Sequence, residues 1–211
     1  MYITVDIGGT NTRVAATQNL DAPVFIGEPM RRRNSTDYEA DLAFILDAVR
    51  KLSGGNITAV GVGIVGTMDK ARTRSLHSKN NPHWNNKPFV ADLSGELGCR
   101  VVADNDGVVA ALGEAYYGSV KTDFAYVIWG TGIGGALVVH DNQGVPTVEK
   151  LDWAKYFGKW EYDCGGKELA LAYGKQPEDF SDEEWRTIIA KFTKRAQNFN
   201  KAVQPKAIVF G

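Results

Sequence analysis

A layered α/β fold is the class this sequence predicts, and three observations predict it. Residues 2–17 read as strand, glycine bend, strand. An amphipathic segment over about 37–52 then precedes "ITAVGVGIVG" (57–66), the continuous apolar run of a strand covered on both faces. Finally, "FAYVIWGTGIGGALVVH" (124–140) repeats the opening theme of strand, Gly/Thr bend, strand.

Each element follows from its residues. Residues 2–5 and 13–17 are short and β-prone, with Gly-Gly between them as hairpin punctuation. Thr36 with Glu39 has the capping-box spacing, and Tyr38, Leu42, Ile45, Val49 and Leu52 recur on one face behind it. Residues 70–95 are polar and rich in Asn and Pro, and read as a long loop of the kind that is often functional. "CRVVAD" (99–104) reads as a strand and 106–117 as a helix whose Val109, Leu112 and Tyr116 share a face, with Asp106 at its N-terminus. Residues 141–175 crowd Trp153, Tyr156, Phe157, Trp160 and Tyr162 together and receive no assignment. Ser181 with Glu184 makes a second capping box, and Trp185, Ile188, Phe192, Phe199 and Val203 line one face of a helix that Pro205 ends. "KAIVFG" begins another buried strand.

Composition narrows the function classes. Lys plus Arg number 24 against 25 for Asp plus Glu, a net charge of −1 that carries no footprint for nucleic acid or an anionic membrane. Cys99 and Cys164 are the only cysteines, too few for a disulfide framework or a four-cysteine metal site, and a reducing cytoplasm is expected. No apolar run approaches the about 18 residues of a membrane span, so a membrane partner is not expected.

The chemistry sits in the two bends. A glycine hairpin exposes several backbone N–H groups without Cβ atoms to hold a ligand away, a concavity suited to phosphate oxygens. In "VDIGGTNTR" (5–13) Thr10 and Thr12 could add hydroxyl donors, and Asp6 could hold a hydrated Mg²⁺ against a polyphosphate. A tight turn whose Asp and Thr satisfy local backbone groups is the alternative. "GTGIGG" (130–135) also matches a dinucleotide fingerprint, but that fingerprint needs a helix next, and Ala-Leu-Val-Val-His is strand-like. Two such hairpins, one in each half, could grip a triphosphate, so ATP clamped in a cleft is the physical reading.

These residues resemble the ROK sugar kinases of the actin and hexokinase superfamily. "DIGGTNTRVA" is similar to the family's first phosphate loop and "GVGIVGTMD" (61–69) to its G-x-G-x-P-G-P-x-D segment, with Val65 and Thr67 in place of the prolines. "NNPHWNNKPF" (80–89) resembles the sugar loop, "VADNDGVVAALGE" (102–114) the E-N-D-A-N-x-A-A-L-G-E segment, "GTGIGGALV" the second phosphate loop and "IVFG" the start of the adenosine-binding element. The resemblance implies a two-lobed actin-like ATPase (ribonuclease H-like) fold, each lobe a mixed sheet with flanking helices. The lobes are expected at 1–104, with the first phosphate loop and sugar loop, and 105–211, with the second phosphate loop. Family members continue past the equivalent of Gly211, so the second lobe reads as truncated.

The resemblance also implies roles. Asp106 would be the general base, accepting the proton of a hexose 6-hydroxyl as the γ-phosphoryl group of ATP transfers in line. Asn81, Asn105, Glu149, Asp152 and Glu168 would line the sugar site, and an N-cap role for Asp106 and a turn role for Asn81 stand beside these. Asp6, Gly8, Gly9, Thr10, Asn11, Thr12, Thr131, Gly132, Gly134 and Gly211 would hold ATP, with Mg²⁺ reached from Asp6 through water. The family's zinc-binding His is replaced by Asp152, and only Cys164 remains of its cysteine knot, so structural zinc is not expected and the aromatic cluster at 153–162 would pack in its place. The expected partner is a small-molecule sugar, and a homodimer is left open.

Rival readings remain: a catalytically impaired sugar-binding remnant, an N-acetylmannosamine or fructose kinase, and a phosphotransferase acting on a carboxylate. A sugar-responsive repressor of the same family would need an N-terminal DNA-binding module, for which this chain has no room before its first strand.

Overall fold

β1 (Tyr2–Ile7) and β2 (Asn11–Thr17) form the opening hairpin, Asp6 pairing across with Arg13 and Ile7 with Thr12. Alternation decides its faces: Ile3, Val5, Ile7, Val14 and Ala16 are buried in a core, while Thr4 and Arg13 face outward. β3 (Met30–Arg33) adds to β2, and β4 (Ala59–Ile64) and β7 (Arg100–Asn105) add in parallel beside β1, giving the sheet order β3-β2-β1-β4-β7. The computed structural model describes residues 1–211, which divide into the units Met1–Val109 and Ala110–Gly211.

In the first unit, α1 (Tyr38–Ser53) packs Leu42, Ile45, Leu46 and Val49 against the sheet. Its cap differs from the sequence expectation: Asp37, not Thr36, is the N-cap, and its side chain accepts from the Glu39 N–H. Asx side chains reach the second residue on without the reciprocal Glu contact of a capping box. The expected long loop over 70–95 is also corrected. It holds β6 (Ser75–His77), which pairs back with β5 (Thr67–Met68) as a two-stranded ribbon, a 3₁₀ turn at Pro82–Trp84, and most of α2 (Phe89–Leu97). Phe89 and Leu93, one turn apart, are fully buried, and Gly98 closes α2 in the left-handed region.

α3 (Asp106–Tyr117) begins where β7 ends. The face shared by Val109, Leu112 and Tyr116 is exposed, and Val108, Ala111 and Ala115 are buried. Both triplets have the same helical spacing, and the small alanines are the ones that permit close packing.

The second unit carries β8 (Phe124–Trp129), β9 (Ile133–His140), β10 (Pro146–Lys150) and β11 (Ile208–Phe210) in the order β10-β9-β8-β11, with β11 parallel to β8. The unassigned stretch holds β10 and three short helices, α4 (Trp153–Tyr156), α5 (Gly158–Cys164) and α6 (Gly166–Tyr173). Of its aromatic cluster, Phe157 and Trp160 are buried against Phe192 and Phe199, while Trp153 and Tyr162 stay exposed. α7 (Asp182–Val203) starts at the expected Ser181–Glu184 capping box and ends at Gln204, just before Pro205.

Candidate functional site

The first bend is held from outside by two asparagines. Gly8 N–H closes it by donating to the Asn11 carbonyl at 3.0 Å. The Gly8 carbonyl accepts from Asn34 Nδ2 at 2.8 Å and from Asn81 Nδ2 at 2.8 Å. Thr12, buried, donates its hydroxyl to Asn34 Oδ1 at 2.9 Å, whereas Thr10 is exposed. A Cβ on Gly9 would stand 2.8 Å from the Nδ2 of the exposed Asn80, so the bend lies against residues 80–81 and a side chain at Gly9 would displace the Asn80 amide. The N–H groups of Gly9 and Thr10 take part in none of the hydrogen bonds within the chain, which leaves two adjacent donors of the kind a phosphate oxygen uses. Asp6, half-exposed, pairs with Arg13 at 2.7 Å.

Asn105 and Asp106 mark the junction of β7 and α3. Asp106 Oδ1 accepts from Asn105 Nδ2 at 2.8 Å and from the Gly107 N–H at 2.9 Å, which orients the carboxylate at a helix N-terminus. Asn105 Nδ2 also donates to the Gly66 carbonyl at 2.8 Å, and its Oδ1 accepts from the Gly107 N–H at 3.2 Å. Gly66 has φ of +121°, and a Cβ there would meet the His77 carbonyl at 2.5 Å, so the turn after β4 depends on glycine. Gly63 lets α3 approach: its Cβ position lies 3.5 Å from the Asp106 Cα.

The segment carrying Asn81 is anchored by a group that sequence reasoning missed. Asp41, 1 % exposed, accepts from His83 Nε2 at 2.9 Å, Trp84 Nε1 at 3.3 Å and the Ser35 N–H at 3.0 Å, and pairs with Arg32. Burial pushes this carboxyl upward, but the Ser35, His83 and Trp84 donors outweigh it and hold the group below the usual range. Trp84 is itself fully buried edge-on to Tyr38 and Phe89. Asp41 sits at a helix position that reads as an ordinary polar first-turn residue, so only the tertiary contacts reveal it.

In the second unit Gly130, Thr131 and Gly132 form the bend between β8 and β9. A strand follows this bend, so the dinucleotide reading lacks its helix. The N–H groups of Thr131 and Gly132 likewise enter none of the hydrogen bonds within the chain. Glu161, also missed from sequence, lies over this bend: its Oε2 accepts from the Ile133 N–H at 2.8 Å and from Trp153 Nε1 at 3.3 Å. Gly134 pairs with Ile128 within the sheet, and the Gly211 N–H donates to the Val127 carbonyl at 3.0 Å, extending β11. Glu149 is exposed on β10, Asp152 caps α4 by accepting from the Lys155 N–H at 2.7 Å, and Glu168 lies in the first turn of α6. Each of the three is on a separate element.

The free bend amides fit a polyphosphate, and a hydrated Mg²⁺, which keeps several waters, needs no more protein than one or two carboxylates such as Asp6. No group of three His, Cys, Asp or Glu converges as a metal cage.

Relatives share this framework. Over 141 residues the chain is 28 % identical to a glucokinase from Thermotoga maritima, covering 65 % of this chain and 44 % of that protein. Over 146 residues it is 34 % identical to an N-acetyl-D-glucosamine kinase from Haemophilus influenzae, covering 66 % and 46 %. The chain thus spans less than half the length of these curated relatives. A ROK family glucokinase from Streptomyces griseus, solved with glucose and AMPPNP, superposes at a TM-score of 0.75 with 20 % identity over all of this chain and 82 % of that one. An inorganic polyphosphate/ATP-glucomannokinase from Arthrobacter superposes at 0.78 with 22 % identity and the same coverage. These two show the fold, the actin-like ATPase arrangement of mixed sheets with flanking helices. The ROK family match runs over residues 2–144, through both glycine bends and the Asn105–Asp106 pair, and by it the chain belongs to the ROK family.

Proposed function

We propose that this chain carries the ATP- and hexose-binding parts of a sugar kinase, with Asp106 as general base toward a hexose 6-hydroxyl. The observation that carries this reading is the placement of Asp106. Its carboxylate is aimed by Asn105 and Gly107 at the start of α3, within a segment that matches the family. Phosphoryl transfer to an alcohol asks little more of the protein than orientation of the acceptor, a proton acceptor and fixed donors for the phosphates. Asp106 accepts the hydroxyl proton, and Asn81 and Asn105 carry the amide groups that pair with sugar hydroxyls. The N–H groups of Gly9, Thr10, Thr131 and Gly132 supply donors to phosphate oxygens. Bound Mg²⁺ offsets the charge of the polyphosphate. The relatives named as glucokinase and N-acetylglucosamine kinase support a hexose or amino-sugar substrate.

Asp106→Asn tests the assignment. The amide keeps an oxygen for Gly107, so circular dichroism and melting temperature should match the parent while turnover falls about a thousandfold. Turnover equal to the parent's would remove Asp106 from the role.

One observation favours a second reading, a sugar-binding protein with weakened nucleotide binding. Glu161 Oε2 lies 2.5 Å from where a Gly132 Cβ would stand, placing a carboxylate against the second bend, where it opposes a phosphate by like charge. ATP consumption across a panel of hexoses and N-acetylated amino sugars separates the two.

A further inference from the structure

We propose that Asn34 is a positioning residue that ties the sugar-loop segment, residues 78–84, to the first phosphate bend, so that ordering one orders the other; this rests on the kinase reading above. Four hydrogen bonds carry the inference. The Asn34 backbone N–H donates to the Thr10 carbonyl at 2.9 Å, and its Nδ2 donates to the Gly8 carbonyl at 2.8 Å and to Asn81 Oδ1 at 3.1 Å. Its Oδ1 accepts from Thr12 Oγ1 at 2.9 Å. The side chain therefore spends both amide hydrogens and its carbonyl on partners from two separate segments. It sits at the end of β3, one residue before Ser35, whose N–H donates to the buried Asp41 that also holds His83 and Trp84.

A closed circuit results. Asp41 fixes the loop at His83 and Trp84, the loop presents Asn81, and Asn81 and Asn34 together fill both lone pairs of the Gly8 carbonyl. A carbonyl held by two donors cannot turn without breaking both. Any change in the peptide plane at Gly8, and with it the N–H of Gly9, must therefore shift Asn81, and a sugar that fixes Asn81 fixes the bend in turn. Coupling of this kind is reciprocal. The Thr12 hydroxyl, expected from sequence to reach a phosphate, is buried and donated to Asn34 Oδ1 instead. Asn34 thus acts through its neighbours rather than on the reacting atoms.

The test compares parent, Asn34→Leu and Thr12→Val by amide hydrogen exchange without ligand, and by the KM for ATP at low and at saturating hexose. Asn34→Leu should raise exchange about tenfold in both 8–12 and 78–84 while α7 keeps its protection, and should raise the KM for ATP and for hexose with a smaller change in kcat. Thr12→Val, which leaves the Asn34–Asn81 bond in place, should loosen 8–12 alone. Asn34→Ser, too short to reach Asn81, replaces the leucine variant where that one does not fold. Loosening confined to 8–12 in the Asn34 variants, or a hexose KM equal to the parent's beside a raised ATP KM, overturns the linkage. A parent that consumes no ATP with any hexose overturns the kinase reading instead, and the exchange comparison still decides the linkage.

Discussion

At the residue scale, the buried carboxylate of Asp41 is the most exacting position in the first unit. A charge with almost no solvent contact is stable only while its donors stay in place, so truncation strands Arg32, His83 and the Trp84 indole N–H together. Asp41→Ala should cost about 3 kcal/mol in a denaturant titration, and Asp41→Asn less, because the amide oxygen still accepts from two donors. The folded carboxyl titrates below its ordinary value of 3.8, so its contribution is fully present above that pH and is lost as pH falls further. Acid unfolding of Asp41→Asn should therefore be less steep below pH 3.8 than that of the parent. Cys164 behaves oppositely: burial pushes its thiol up to about 11, and it should resist alkylation at pH 8 until the protein unfolds. Labelling of the native protein at the parent's full rate for a free thiol would contradict that burial. None of this is legible in sequence, where Asp41 is one of several acidic residues in a first turn and Cys164 one of two thiols.

Elements were legible where a local signal and the tertiary environment agree. The Ser181–Glu184 capping box and the apolar stripe behind it predict α7, and the helix starts there. Ser181→Ala should destabilise the second unit by about 1 kcal/mol in thermal unfolding. Glu184 is held down to about 2, mainly by Lys175 and then by the Ser181 groups. Its contribution is present above the ordinary value of 4.5 and fades as pH drops toward 2, so Glu184→Gln should lose its difference from the parent in that window. α2 escaped detection because Asn and Pro dominate the composition around it, and a helix of nine residues offers only one turn of buried side chains, Phe89 to Leu93. The buried side of α3 is hidden from sequence for a different reason. Val109, Leu112 and Tyr116 are larger than Val108, Ala111 and Ala115, yet close approach of a helix to strands selects small residues, and spacing alone does not distinguish the two faces.

At the scale of the whole molecule, the two sheets repeat one plan. In β3-β2-β1-β4 and in β10-β9-β8-β11, three antiparallel strands are followed by a parallel strand beside the first, with the glycine bend always between the first two. The echo read between residues 2–17 and 124–140 is the visible part of that repeat. A ligand that binds only the folded chain raises its stability by mass action, about 2.7 kcal/mol at a hundredfold excess over Kd. Under the proposed function, ATP with Mg²⁺ and a hexose should each raise the melting temperature, and Asp106→Asn should keep both shifts while losing turnover. Absence of either shift in the parent would count against a site for that ligand.

Hydrophobic period, glycine punctuation and capping pairs are short-range signals, and by themselves they determined the paired hairpins, α1, α7, the buried strand β4, the strand β7 and the start of α3. Which side chains meet across long stretches of chain was decided only in three dimensions. Asn34 meets Gly8 and Asn81, Asp41 meets His83 and Trp84, and Glu161 meets the second bend, because each contact depends on how strands register and helices settle. Neighbouring residues along the chain carry no record of that.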